Sequence, residues 1–465
     1  MGTEETKDMD FFFNPSSVAV VGASNAQEKL ASIIMTSLLN IRFKGKLYPV
    51  NPKYTEVGKL KCYPSIKAIG TGIDLAIFAL PASLTPAALK GAAGIVKGAI
   101  IVSGGFAEAD GGRYEEEIKA IAGQSGMRII GPNCMGIYDT VSRLDTFFIP
   151  KERIKRPKSG GLSIISQSGS FAVTAMDELA DDGLGVARII SYGNKSDVNE
   201  SDCLDFLAQD AATKAVALYI ESIEDGRRFV EAAKRCSERK PVMAVKVGRG
   251  GAGTDAARSH TGAIAGRPEI YSAAFKKAHV IELNGYDEFI CGCKAYGQHN
   301  EPPTCKGNRV IIITDGGGIG VAVADSCVQA GLDVAQPDAE IITQLSAVFP
   351  AYFAMRNPID LTGSVTDEWF ARALEETLLG SNFDIAIVAA LWGPPNLSDD
   401  LAKLIAWKAR KSGKPVIICS PGGSYSKKKA KLFMKEGLPV FSTPEAAVRA
   451  AAILVRGGRI SMHVR

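Results

Sequence analysis

The sequence predicts an α/β protein built of three doubly wound domains. Short β-branched runs alternate with longer helical patterns along the chain, the signature of parallel strands joined by crossover helices. At 465 residues the chain exceeds one hydrophobic core and has room for two or three domains of about 100 to 200 residues each. Many of its 48 glycines directly follow the apolar runs, where backbone must approach something closely.

The first set of strands is read in "VAVVGAS" (18 to 24), "KLYPVNP" (46 to 52), "DLAIFALP" (74 to 81), "GAIIVSGGF" (98 to 106) and "MRIIGPN" (127 to 133). It predicts a nucleotide-binding-type domain over 10–149. The basic, proline-bearing "IPKERIKRPKSGG" (149 to 161) reads as a linker. "GLSIISQSG" (161 to 169), "GVARIISYGN" (185 to 194), "AVALYIES" (215 to 222), "PVMAVKVG" (241 to 248) and "HVIELNG" (279 to 285) make a second doubly wound domain, 157–293. "KAYGQHNEPPTCKGN" (294 to 308) has no period of 2 or 3.6 and marks another boundary. "RVIIITDGGGIG" (309 to 320), "DIAIVAALWGPP" (384 to 395), "KPVIICSPGG" (414 to 423) and "LPVFST" (438 to 443) form the third, 304–465. Ligands are expected at the carboxyl ends of the strands in all three.

Composition narrows the class of function. A hydrophobic content of 46%, a charged content of 22% and a mean hydropathy of +0.06 are those of a soluble globular chain. No apolar run approaches the roughly 18 to 20 residues of a membrane helix, and the acidic N-terminus lacks a secretory layout, so a cytoplasmic location without membrane contact is expected. The net charge of +4 is mild and interleaved, which argues against nucleic acid. Nine scattered cysteines read as reduced thiols; Cys134 reads as loop packing, and no metal-ligand cluster is found.

Several strand-end turns carry chemistry. "VVGASNAQEKL" lacks the G-x-G-x-x-G spacing of a dinucleotide fold, which disfavours an oxidoreductase, yet Gly22 and Ser24 can offer amides and a hydroxyl to phosphate, with Lys29 a turn later. A plain tight turn is the alternative. Asn51 and Lys53 at the next strand end suit an anionic, nucleotide-like ligand, or are solvated. Ser166, Gln167, Ser168 and Gly169 end a buried-looking strand and open a helix, aiming orphan N–H groups at an anion. Gly316, Gly317 and Gly318 repeat that design, and two such turns suggest two helix dipoles meeting one phosphate. Mere turn chemistry is the bland reading of each. Glu221 ends an apolar strand, where a carboxylate needs a partner and a histidine is the obvious one; capping the next turn is the alternative. His260, in "GRGGAGTDAARSHTGAIAG" (248 to 266), would keep one ring nitrogen nucleophilic if a carboxylate held the other. The crowded loop "ISYGNKSDVNESD" (190 to 202) contacts substrate or a neighbouring subunit, or is solvated.

Assembled, these residues resemble the α subunit of the NDP-forming acyl-CoA synthetases, particularly the ADP-forming acetate–CoA ligases, relatives of succinyl-CoA synthetase. The carriers are "VVGAS" with Lys29, "SGGFAE" (103 to 108), "GPNCMGI" (131 to 137), "SQSGSF", "GNKSDVNESD", "YIES", "SHTGAIAG" and "TDGGGIG", in the family's order over nearly the whole chain. The resemblance implies a Rossmann-like domain that binds coenzyme A, followed by two flavodoxin-like domains. It makes His260 the phosphorylated histidine, Glu221 its orienting carboxylate, and the turns at Ser166 to Gly169 and Gly316 to Gly318 the phosphate site. Gly104 and Gly105 join Gly22, Ser24, Lys29, Asn51 and Lys53 as coenzyme A contacts, and Asn133, Gly136 and Asn194 form the acyl loop. The chain carries no ATP-grasp domain, so ADP or ATP with Mg2+ would lie on a separate β subunit, in an α2β2 heterotetramer. A non-catalytic CoA-binding regulatory or scaffold protein is the rival reading; it needs neither His260 nor Glu221.

Overall fold

The computed structural model describes residues 9–106, 112–250, 267–298, 302–379 and 383–464, with side chains to 460. The chain divides into two compact units, Met1–Ala180 with Val186–Glu282, and Asp181–Gly185 with Leu283–Arg465.

The first unit holds two main sheets. Strands β1 (Ser17–Val21), β2 (Lys46–Val50), β5 (Ile73–Phe78), β6 (Val96–Ile101) and β7 (Arg128–Ile130) pair in the order β2-β1-β5-β6-β7, all parallel, and a small hairpin of β3 (Glu56–Val57) and β4 (Leu60–Lys61) lies outside this sheet. All five β1 residues are buried, as befits a strand covered on both faces. The sheet is doubly wound, and its direction of winding reverses between β1 and β5. A crevice opens at that switch point, outside the carboxyl ends of the strands.

The second sheet runs β14-β13-β12-β10-β11-β8-β9, from strands β8 (Gly136–Asp139), β9 (Leu144–Asp145), β10 (Ser159–Ser166), β11 (Val186–Ser191), β12 (Ala215–Ile220), β13 (Val242–Lys246) and β14 (Ile281–Leu283). Strands β10 to β13 are parallel; β8 pairs antiparallel with β11, Tyr138 facing Ile189. One buried cluster runs through both sheets, joining Leu75, Ile100 and Ile130 to Ile165, Ile190 and Leu218.

In the second unit, β15 (Val310–Thr314), β16 (Ile359–Asp360), β17 (Ile385–Ala389), β18 (Val416–Cys419) and β19 (Val440–Phe441) form a parallel sheet in the order β16-β15-β17-β18-β19. Each of the three sheets therefore repeats one winding scheme, with its first parallel strand between the second and third. No helix among the described residues is long and apolar enough to cross a membrane.

In two places the elements fall differently from the sequence grouping. Residues 136–145, grouped with the first sheet by sequence, hydrogen-bond into the second. The turn after β7 carries them there: Gly131 adopts φ +103°, and Ser196 and Asn194 of the second sheet's loops donate to the Gly131 and Pro132 carbonyls at 3.0 Å each. Residues 294–297, read as aperiodic, continue a helix Gly285–Gly297. Its buried side includes Phe289, Cys293 and Tyr296, and it packs on the helix Pro444–Val464, with Arg456 donating to Glu288 at 2.8 Å.

Candidate active site

The switch-point crevice of the first sheet is a cavity of about 710 Å³ whose lining includes Gly22, Ser24, Lys29, Asn51 and Lys53. Leu80, Ile66 and Leu84 supply apolar wall. Gly22 is required there, because it adopts φ +91° and any Cβ would stand closer than 3.0 Å to the Ala79 carbonyl oxygen. Its own N–H is donated to the Val50 carbonyl at 2.9 Å, so Gly22 shapes the crevice rather than offering its amide to a phosphate. Asn51 is likewise engaged: its amide donates to the Ala23 carbonyl at 2.7 Å and its side-chain oxygen accepts from Lys53 N–H at 2.9 Å. The Ser24 hydroxyl accepts from Ala26 N–H at 3.1 Å and lies 3.4 Å from the Tyr54 hydroxyl. Lys29 and Lys53 are exposed and make no ion pair among the described residues. An apolar slot with two cations at its rim suits a ligand that combines a flat ring with phosphates.

Gly104 and Gly105 lie at the end of β6, exposed, and outside the cavity lining. Gly104 stands against Asn133, whose oxygen would lie 3.2 Å from an added Cβ. The Asn133 amide donates to the side-chain oxygen of Asn194 at 3.4 Å, and Asn194 donates to Glu115 at 3.2 Å. Two half-buried amides thus meet where loops from both sheets of this unit touch. Gly136 has a packing reason instead: at φ +83° it begins β8, and an added Cβ would strike the Thr146 hydroxyl. Cys134 is buried, and burial pushes its thiol up to about 12, so it stays protonated near neutrality.

At the carboxyl ends of β10 to β13 a cluster of buried polar groups forms. The Ser166 hydroxyl donates to the Ser168 carbonyl at 2.7 Å, and the Ser168 hydroxyl accepts from Phe171 N–H at 3.4 Å. That arrangement caps the helix Gly169–Asp181, whose first residue abuts Met135, 3.0 Å from where a Cβ would sit. Gln167 turns the other way. Its side-chain oxygen accepts the N–H groups of Glu221 at 2.9 Å and Ser222 at 3.0 Å, and its amide donates to the Ser222 hydroxyl at 3.2 Å. Glu221 is only 4% exposed. Tyr219 carries its phenol against this carboxylate; burial first, and then the Glu221 charge, push that phenol up.

Four further residues join the cluster: Tyr192, Lys195 and Glu200 from the crowded loop 190 to 202, and Lys246, which sequence reasoning passed over. Lys195 is 7% exposed, adopts φ +53°, and lies 3.6 Å from the buried Glu200 carboxylate. Burial, opposed by that ammonium, raises the Glu200 carboxyl. Tyr192 is wholly buried, and its phenol is held well above its ordinary value by burial and then by Glu200. Lys246 closes the group at the end of β13, donating to the Val247 carbonyl and standing 4.7 Å from the centre of the Tyr271 ring; burial lowers its affinity for a proton. The signal for Lys246 was visible as a cation within "VMAVKVG", a run otherwise apolar. His260 lies outside the described residues.

In the second unit the helix Gly317–Gln329 starts at Gly316, with Gly318 in its first turn. The Thr314 hydroxyl accepts from Gly316 N–H at 3.0 Å. This N-terminus already faces a carboxylate: a Cβ on Gly317 would stand closer than 3.0 Å to an Asp360 oxygen. Asp315, buried beside it, accepts from Leu391 N–H at 3.0 Å, and burial followed by the Asp360 charge pushes its carboxyl up to about 6. A carboxyl whose folded value exceeds its ordinary 3.8 stabilises fully at low pH, and that contribution is lost as pH rises through about 6. The second unit is therefore expected to be less stable at pH 8 than at pH 5 by about 1.4 kcal/mol, since only roughly one pH unit of the displacement lies above pH 5. Asp315→Asn keeps an acceptor for Leu391 and should flatten this dependence in thermal melts; an unchanged slope would assign it to another group.

Family profiles described as "CoA binding domain", "Succinyl-CoA ligase like flavodoxin domain" and "Ligase-CoA domain" match residues 16–140, 159–296 and 310–459 in turn. The α subunit of acetate–CoA ligase [ADP-forming] II from Pyrococcus furiosus is 38% identical, covering 96% of this chain and 97% of its own. Acetate–CoA ligase [ADP-forming] I from Archaeoglobus fulgidus is 36% identical over 98% of this chain but 65% of its own length. Among solved structures, the dinucleotide-forming acetyl-coenzyme A synthetase 1 of Ca. Korarchaeum cryptofilum, in complex with phosphate and ADP, superposes with a TM-score of 0.90 at 33% identity, covering 98% of each chain.

Proposed function

Because this chain belongs to the ADP-forming acetate–CoA ligases, a branch of the NDP-forming acyl-CoA synthetases, we propose that it handles coenzyme A and phosphate while a separate ATP-grasp β subunit holds the nucleotide and Mg2+. The reaction is acyl-CoA + ADP + phosphate ⇌ carboxylic acid + ATP + CoA, with acetyl-CoA as the acyl donor and two chains of each kind in the assembly. Phosphate attacks the thioester carbonyl; the carbon–sulfur bond breaks, and CoA leaves as a thiolate that takes up a proton. The acyl phosphate then gives its phosphoryl group to a His260 ring nitrogen and leaves as the carboxylate. Phosphohistidine finally passes the group to ADP.

Each step asks for something the residues can supply. Transfer needs in-line placement and stabilised charge more than covalent help, and the capped start of the helix Gly169–Asp181 offers N–H groups to phosphate oxygens. The crevice beside Lys29 and Lys53 suits the nucleotide end of coenzyme A. The observation that carries the reading is the buried Glu221, held by Gln167 at the same strand ends as that helix start. A carboxylate so placed can hold one imidazole nitrogen and leave the other nucleophilic.

The test is to co-express the chain with its partner subunit and assay acetyl-CoA with ADP and phosphate for ATP. ATP formation that requires phosphate, together with an acid-labile phosphoryl label from γ-labelled ATP, is expected. Coenzyme A binding without turnover in the assembled complex would favour the scaffold reading.

A further inference from the structure

Three polar groups of the backbone turn that follows β12, the N–H groups of Glu221 and Ser222 and the Ser222 carbonyl, are held by buried side chains from neighbouring strand ends. From β10, the single Gln167 oxygen takes two N–H groups, those of Glu221 and Ser222. Only the carbonyl end of an amide can accept, so this contact fixes the amide's orientation, and its NH2 is left to meet the Ser222 hydroxyl. From the far side, after β11, the Lys195 ammonium donates to the Ser222 carbonyl at 2.8 Å. Lys195 is brought inward by its left-handed backbone, immediately after the tight approach of Gly193 to the Pro132 carbonyl. Glu200 balances its charge at 3.6 Å, and the exposed Glu224 adds a weaker contact at 3.9 Å. A buried ammonium held only to brace a turn is costly, so the turn's position has to matter.

We propose that Gln167 and Lys195 are positioning residues for Glu221, and that Gln167 serves the site by aiming this carboxylate rather than by touching phosphate with its side chain. The pair grips residues 221 and 222 from opposite sides, which leaves the Glu221 carboxylate one narrow range of directions, flanked by Tyr219. Neither residue reacts. A glutamine is needed because the task calls for an acceptor and a donor at once; leucine offers neither and glutamate lacks the donor.

The inference rests on the reading of Glu221 as the orienting carboxylate, and the experiment keeps the two apart. In the assembled complex, the rate of ATP-dependent phosphorylation is measured against pH for wild type, Glu221→Gln, Gln167→Met, Gln167→Glu and Lys195→Gln. Coenzyme A affinity and melting midpoint are measured alongside. Gln167→Met and Lys195→Gln should each slow phosphorylation about 10- to 100-fold with coenzyme A affinity unchanged, and their effects should be less than additive in the double variant, since both act on one turn. Gln167→Glu retains the acceptor and should keep more activity than Gln167→Met. It also sets a second carboxylate beside Glu221, so the acid limb of the profile should move up by about one pH unit. If Gln167→Met fails to fold, the Gln167→Glu profile decides: a shifted limb supports the positioning role, and an unshifted one overturns it. Wild-type rates in folded Gln167→Met and Lys195→Gln, with Glu221→Gln slow, overturn the inference alone. An unaffected Glu221→Gln removes the functional reading beneath it.

Discussion

A complex carrying His260→Ala is expected to lose acetyl-CoA-dependent ATP formation by about 10⁴-fold or more, the scale on which an enzyme suffers when its covalent nucleophile is removed. The loss should be selective. Attack of phosphate on the thioester requires no imidazole, so coenzyme A release in a single turnover should continue and stop at acyl phosphate. Thiol release can be followed by a disulfide reagent in a rapid-quench experiment, and the phosphoryl label by its lability to acid. ATP formation within about tenfold of wild type would remove His260 from the mechanism. Label that persists with the same acid lability in the variant would place the phosphoryl group on another residue.

Gly193→Ala should produce the largest loss of stability of any single methyl addition near the strand ends. Gly193 adopts φ +58°, and an added Cβ would stand closer than 3.0 Å to the carbonyl oxygens of Pro132 and Asn133. Both obstacles are backbone and cannot rotate aside. A left-handed alanine costs about 1 to 2 kcal/mol, and forced overpacking about 1 to 3 more, so about 2 to 5 kcal/mol is expected from denaturant unfolding. Gly112→Ala is the control: its φ is +88° with nothing among the described residues within 4 Å, so it is expected to carry the backbone cost alone. Equal losses in the two variants would mean that the loop contact contributes nothing. Since the same contact brings Asn133 to Asn194, folded Gly193→Ala should also bind acyl-CoA more weakly.

The sheets were legible in the sequence because strands covered on both faces must be continuous apolar runs, and "VAVV", "SIIS", "ALYI" and "VIII" have little else they can be. What escaped was decided by partners distant along the chain. "GIYD" (136 to 139) is apolar enough for either sheet; only its pairing with Arg188 to Ser191 settles which one. At the site, the sequence displays what each residue has to offer but not what its neighbours have already used. Gln167 is visible as an amide in a phosphate-type turn, but that Glu221 and Ser222, more than fifty positions later, occupy its side-chain oxygen is not. Asn51 and the Gly22 amide follow the same pattern. Asp360 is similar in kind, since nothing near "TDGGGIG" announces that a carboxylate from the next strand stands at its helix start. Cys134 was readable in the opposite sense: a thiol among small loop residues, with no imidazole nearby in sequence, is indeed buried and protonated.

The antiparallel edge formed by β8 and β9 bears on how this protein can be cut and recombined. A fragment ending near residue 140, where the coenzyme A profile stops, would take β8 away from β11 and leave that strand's outer edge open to pair with any chain that met it. A fragment beginning at 159 would carry the same exposed edge from the other side. The natural scissor point lies between Ile130 and Gly136, which leaves β8 and β9 with the sheet they pair into. Grafting a different coenzyme A module onto this chain would therefore need to import its own ribbon or keep residues 136–145 of the host, and second-sheet fragments that begin at 146 should precipitate where those that begin before Gly136 remain dispersed.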